Sequence, residues 1–264
     1  MGYDLLRCEY EKKLLTPEFK VSLKDYILTS GMEVSCFSSS ETKSDWCKVE
    51  LTSQLQKIIS YEDSEPVSVQ LGYDGDYDIL ISGYARRTGS DYWKEILIRD
   101  DMIKLERVEV KATFRYCEPQ DILKYILKQA GIDDYEMSDK SYGSKETIII
   151  NSQNGIEAIK KLIIFGELRI ISFFRNRRFY WGCRPAQDVI YVLREDENVL
   201  SMQKYGDLFE IETLGVPWIH HSQLIKIEHS KYNGMSFVEK TIIKSDADGR
   251  VRMYIYFRGG EINV

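Results

Sequence analysis

Val67-Ser68-Val69-Gln70-Leu71-Gly72-Tyr73-Asp74-Gly75-Asp76-Tyr77-Asp78-Ile79-Leu80-Ile81-Ser82-Gly83-Tyr84 decides the fold class. Apolar and polar residues alternate on both sides of Asp74-Gly75, and a period of two buries one face of a strand. Asp-Gly supplies the positive φ angles of a tight two-residue turn. The stretch therefore predicts an antiparallel hairpin.

The same alternation extends outward in both directions. Met32–Phe37, Cys47–Leu51 and Trp93–Arg99 read as half-buried strands, and Lys104–Tyr116 reads as mostly extended. Residues 51–60 predict a short helix with Leu55, Ile58 and Ile59 on one side. Further along, Val189–Leu193, Leu208–Thr213, Leu224–Glu228, Ser236–Ile243 and Val251–Phe257 return to strand-like patterning. Asn233-Gly234 and Asp248-Gly249 read as two more hairpin turns.

Two helices stand between these β zones. Pro119 at a first helical position loses no hydrogen bond, and Ile122, Leu123, Ile126, Leu127 and Ala130 follow at helical spacing before Gly131. The strand Glu146–Ile150 precedes Ser152 as a cap and a helix with Ile156, Ile159, Leu162 and Ile163 on its buried stripe, ending before Gly166. A hairpin around Asn176 follows. The expected class is α+β, mostly β, with two small antiparallel β-barrel-like domains at 1–116 and 187–264. A small mixed α/β insert domain fills 117–186.

Composition bounds the function. The chain has 264 residues, 43% hydrophobic and 30% charged, which is ordinary for a soluble globular protein. Its formal charge of −6 argues against a large nucleic-acid footprint. Five cysteines without a CxxC pair suggest neither a disulfide framework nor a zinc knuckle, and fit synthesis in a reducing cytoplasm. Charges interrupt the first ten residues where a cleaved signal needs an apolar core, and no run suits a membrane span.

Candidate chemistry is sparse. Asp74, Asp76 and Asp78 have the alternate spacing of a calcium loop, but the sixth-position glycine and distal glutamate are missing. His220, His221 and His229 meet no zinc spacing, and the reading for them is turn or strand-edge polar residues. Cys183 beside Arg184 reads as a structural thiol rather than a reactive one. Neither a Gly-x-Ser-x-Gly elbow nor a phosphate-binding glycine loop occurs. No catalytic residue, cofactor or metal is expected.

One surface stands out. Arg169, Arg175, Arg177, Arg178 and Arg184 interleave with Phe173, Phe174, Phe179, Tyr180 and Trp181, the composition of a stacking and phosphate-binding platform. In an acidic chain the arginines fit solvent or an acidic protein neighbour better. Arg175, Arg177, Arg178, Phe179, Tyr180 and Trp181 are thus the candidate interface.

Several segments together resemble a known family. Val67–Tyr73 followed by Ile79–Tyr84 resembles the hairpin of phage tail hub proteins. Thr113-Phe114-Arg115-Tyr116 before Pro119–Leu123, with Ala130-Gly131-Ile132 behind, is similar to that family's entry into its helical insert. Gly155-Ile156-Glu157-Ala158-Ile159 resembles its second helix. Gly215-Val216-Pro217-Trp218-Ile219 before Leu224–Ile227 resembles its C-terminal barrel. A Gly-Asp pair usual before that strand is replaced by His221-Ser222-Gln223.

The family is the baseplate hub of contractile tails, including the late control protein D group and the hub part of type VI secretion spikes. The resemblance implies a non-enzymatic homotrimer whose paired β domains form a pseudo-six-fold ring joining tail tube to central spike. Other baseplate proteins would be further partners. DNA would pass the lumen without specific binding, and no appended lysozyme, peptidase or LysM-like segment is recognisable. The mature location would be the baseplate of a phage or of a headless, bacteriocin-like injection device. Alternatives are a distal-tail or adaptor protein of such a particle, or a hydrolase acting on wall polysaccharide.

Overall fold

Alternating burial organises the strands of the computed structural model, which describes residues 16–41, 44–87, 95–165, 170–246 and 248–259. The first strands are β1 (Pro17–Leu23), β2 (Tyr26–Leu28), β3 (Met32–Ser39) and β4 (Trp46–Leu51), followed by the one-turn helix α1 (Leu55–Ile58). Next come β5 (Pro66–Tyr73), β6 (Asp76–Arg87), β7 (Glu95–Arg99), α2 (Met102–Glu106) and β8 (Val110–Cys117). The middle holds α3 (Pro119–Gln129), β9 (Tyr135–Met137), β10 (Lys145–Ser152), α4 (Gly155–Phe165), β11 (Ser172–Arg175) and β12 (Arg178–Trp181). The chain closes with β13 (Tyr191–Arg194), β14 (Val199–Tyr205), β15 (Leu208–Leu214), β16 (Leu224–His229), β17 (Tyr232–Phe237), β18 (Lys240–Ser245) and β19 (Val251–Arg258).

The fold is α+β and mostly β. Two compact units account for the chain: residues 1–40, 45–99 and 185–264 form the first, and residues 41–44 and 100–184 the second. In the first unit eleven strands run in the order β14-β15-β19-β18-β3-β4-β7-β6-β5-β1-β2. No closed barrel is found among the described residues. β13, β16 and β17 form a further three-stranded sheet, in which β13 lies parallel to β16. One hydrophobic cluster, containing Val21, Val49, Val69, Ile98, Ile211, Met253 and Phe257, spans all three sequence segments of this unit.

The pairing of β3 with β18 joins the two β segments, with Cys36 opposite Ile243. Hairpins such as β5–β6 are local, whereas this contact closes most of the chain and yields no signal at short range. The two-residue loop of β5–β6 consists of Asp74 and Gly75 at φ 52° and 85°, the left-handed conformation required there.

The second unit is built around its two helices. α3 buries Ile122, Leu123, Ile126 and Leu127, and Gly131 follows at φ 65°. α4 buries Ile156, Ala158, Ile159 and Leu162. Its first turn is capped by the Asn154 carboxamide, which accepts from the Glu157 N–H at 2.8 Å, whereas Ser152 ends β10. These helices, α2, the β8–β10 ladder and the aromatic strands share one core.

Several elements differ from the sequence reading. Residues 102–106 coil into α2, because Met102, Ile103 and Leu105 bury together on one face of a single turn. The run expected as one strand over 236–243 is split between β17 and β18. Ile58 projects outward, 64% exposed, while Ile59 enters the core. Trp93, Gly166 and Arg169 lie outside the described residues. No helix among the described residues is long and apolar enough to cross a membrane.

Candidate interface hairpin and buried polar clusters

The β11–β12 hairpin sets Phe174 opposite Phe179 and Phe173 opposite Tyr180. Asn176 and Arg177 form its loop at φ 47° and 70°, so an asparagine and an arginine take the positions usually filled by Asn-Gly. β9 adds alongside β12 in parallel. The strands thereby carry their aromatic rings inward. Phe179 and Trp181 are fully buried, Phe173 and Phe174 nearly so, and Tyr180 is 8% exposed.

This burial withdraws the rings from the stacking surface that their composition suggested, the less favoured of the two readings. Phe174 meets Phe179 edge-on at 5.1 Å, Phe173 stacks on Tyr180 at 5.5 Å, and Tyr142 meets Trp181 edge-on at 5.4 Å. Burial also pushes the Tyr180 phenol up. Phe174, Phe179 and Trp181 belong to the core of the second unit, and the buried rings present no open face for bases. Of the arginines, Arg178 donates from Nε to Asp134 Oδ1 at 2.7 Å and lies 3.7 Å from Glu136. Arg177 Nε sits 3.3 Å from Asp101 Oδ2. Their side chains are 47% and 52% exposed, so they remain available to an acidic neighbour while already partly neutralised.

Asp101 anchors that loop from below. Its carboxylate is 1% exposed and also meets Lys104 Nζ at 2.6 Å. Beside it, Asp100 accepts from Ser44 Oγ at 2.7 Å and from the Met102 N–H at 3.2 Å. None of these acids was singled out in sequence, since a buried carboxylate and a surface one look alike there.

The remaining turn residues are placed as follows. β16 and β17 turn at Ser230-Lys231, leaving Asn233 and Gly234 inside β17 opposite Glu228 and Ile227. Side chains fix this earlier position: Glu195 accepts from the Ser230 N–H and hydroxyl at 2.7 and 2.8 Å, and His229 Nδ1 accepts from the Lys231 N–H at 3.0 Å. Between β18 and β19, Gly249 has φ 78°, and the Asp246 carboxylate accepts from the N–H groups of Asp248 and Arg250 at 3.0 and 2.9 Å. Asp74, Asp76 and Asp78 are all exposed at the tip and along the outer part of β6.

His221 differs from the strand-edge expectation, being 1% exposed. Its Nδ1 lies 2.9 Å from Ser222 Oγ and its Nε2 lies 3.5 Å from Asp45 Oδ2. Asp45 in turn accepts from Ser38 Oγ at 2.5 Å and from the Ser39 N–H at 2.9 Å. The serine, histidine and aspartate are in contact order, yet Ser222 is 5% exposed and its own N–H is committed to Val238 O. The cluster ties the segment before β16 to the corner between β3 and β4.

A thiol, a disulfide and a groove complete the inventory. Cys183 has its thiol pushed up by burial, which opposes reactivity despite the adjacent arginine. Contrary to the reading of unpaired cysteines, Cys36 and Cys47 are joined by a disulfide. They lie opposite each other on β3 and β4, a proximity that sequence spacing does not reveal. A groove of about 520 Å³ in the first unit is lined in part by Glu18, Glu33, Glu50 and Asp246.

No family model and no curated protein matches the sequence. Solved structures do match the fold. A 43 kDa tail protein of prophage MuSo2 from Shewanella oneidensis aligns with TM-score 0.71 at 10% identity, over 92% of this chain and 97% of that one. A tail protein from Neisseria meningitidis MC58 aligns with TM-score 0.70 at 9% identity over the same shares. The E. coli c3393 protein aligns with TM-score 0.69 at 12% identity, over 92% of this chain and 77% of that one. That protein is described as a type VI secretion component with structural similarity to the T4 tail proteins gp27 and gp5. The chain therefore has the fold of phage tail proteins.

Proposed function

We propose that this chain is a structural baseplate hub subunit of a contractile tail or tail-like particle, forming a homotrimeric, pseudo-six-fold ring between tail tube and central spike. The observation that carries the reading is the extent of the fold likeness, which takes in 92% of this chain and 97% of two tail proteins. The ring reading keeps the three-part organisation of two β-barrel-like parts, 1–116 and 187–264, around an insert at 117–186. Two similar β parts per subunit give three chains six comparable surfaces, which reconciles a threefold hub with a sixfold tube.

Two further features support it. Among the described residues the sheet order ends at β14 and β2, and β14 exposes Leu200 and Tyr205 at 52% and 53%. An edge with unpaired backbone groups and exposed apolar side chains is a surface for a second chain. Outside residues 100–184 acidic side chains outnumber basic ones, 29 to 21, so a lumen formed by these parts repels passing DNA. No chemistry at this chain is part of the proposal.

Light scattering across a concentration series tests it. A constant mass three times the 30.9 kDa chain is the expected result. A strict monomer at all concentrations, or a hexamer, overturns the trimeric hub and favours an adaptor.

A further inference from the structure

Cys36 and Cys47 occupy the middle of the eleven-stranded sheet, where β3 has β18 on one side and β4 on the other. Both side chains face the core, with Cys47 at 0% exposure and Cys36 at 7%. The pair closes a loop of sequence separation 11. That loop carries Asp45, the carboxylate that holds Ser38, Ser39 and His221. A covalent link here fixes the strand joining the two β segments to its neighbour.

We propose that Cys36 and Cys47 form a redox-responsive staple, an open dithiol while the chain assembles in a reducing cell and a closed disulfide in an oxidising medium. The timing rests on the tail-particle reading; the staple itself does not. With glutathione disulfide as oxidant, the thiolate of Cys36, the less buried residue of the two, attacks one sulfur and releases one glutathione thiol. The Cys47 thiolate then displaces the second glutathione, so two protein thiols are oxidised and one glutathione disulfide is reduced. Closure removes conformations from the unfolded chain and so raises stability.

The test uses the full chain, held under reductant or incubated with glutathione disulfide, then denatured in an alkylating agent and weighed by mass spectrometry. Of five cysteines, five are expected to be alkylated under reductant and three after oxidation, with a linked peptide pair containing positions 36 and 47. Oxidation is expected to raise Tm by about 5–10 °C, and the Cys36→Val/Cys47→Val variant to lose that shift. Five alkylated thiols after oxidation, or a bond to another cysteine instead, overturns the staple. A shift retained by the double variant overturns the stabilising role. The thiol count uses the unaltered chain, so it decides even where the variant does not fold. It is also independent of the measured oligomer, so the staple and the hub reading fail separately.

Discussion

Asp101 carries a cost that only its partners offset. A carboxylate that is 1% exposed loses nearly all its hydration, and Lys104 and Arg177 compensate from partly exposed positions. Asp101→Ala leaves the Arg177 loop, at φ 70°, without its anchor. The expected loss is about 1–3 kcal/mol, that of charge-assisted hydrogen bonds whose cationic partners can return to solvent, read from urea unfolding of the variant against the parent chain. At the surface the same chemistry acts through pH. Glu228 accepts from Lys226 and from Arg194, and these bonds lower its carboxyl from 4.5 to about 2. A folded-state value below the unfolded one stabilises above pH 4.5, and that stabilisation disappears as pH falls toward 2. Tm profiles of the parent and Glu228→Gln should differ at neutral pH and converge near pH 2; parallel profiles would remove Glu228 from the acid response. Neither residue was legible in sequence, because Arg194 is brought to Glu228 only by the β13–β16 pairing and Arg177 to Asp101 only by tertiary packing of the hairpin loop.

At the scale of elements, legibility followed the range of the determining interaction. α3 and α4 were readable from Ile122, Ile126, Ile156 and Leu162 because one turn of helix sets their spacing. The β5–β6 hairpin was readable because Asp74-Gly75 encodes its own turn. The β16–β17 turn was displaced to Ser230-Lys231 because Glu195, from the far side of β14 and β15 in sequence, holds the Ser230 N–H. Local propensity at Asn233-Gly234 was overridden by that bond. The β3–β18 pairing was invisible for the same reason at longer range. Gly215 shows a glycine required by packing rather than by φ: a Cβ there would sit 2.3 Å from Val251 Cγ1, and the Gly215 carbonyl accepts from the buried Tyr73 hydroxyl at 2.5 Å. Burial raises that phenol to about 12, so it remains a donor across the physiological range. Gly215→Ala forces β19 or the Tyr73 bond to yield, at about 1–3 kcal/mol. Chemical denaturation should detect it, and an unchanged midpoint would show that the strand end accommodates the methyl group.

For the whole molecule, the question is what covers the free edges. β14 pairs with β15 alone in the strand order, and its Leu200 and Tyr205 stay exposed. An isolated subunit with such an edge is prone to add another chain, and proteins that remain monomeric usually place charge there. Lys204 is the only charged residue of β14, and its ammonium lies 5.0 Å over the Phe209 ring. Closed rings use heterologous contacts, so altering one edge removes every interface of the ring at once. Leu200→Lys combined with Tyr205→Lys adds two like charges per edge while leaving the core of unit one untouched, since neither side chain is buried. If the parent chain is the proposed trimer, the expected outcome is a folded monomer: unchanged Tm within about 2 °C for surface substitutions, with scattering mass reduced from three chains to one. If the trimer persists, β14 is not its contact and the ring must close elsewhere. If mass and Tm fall together, folding and assembly are coupled, and the edge contributes to both.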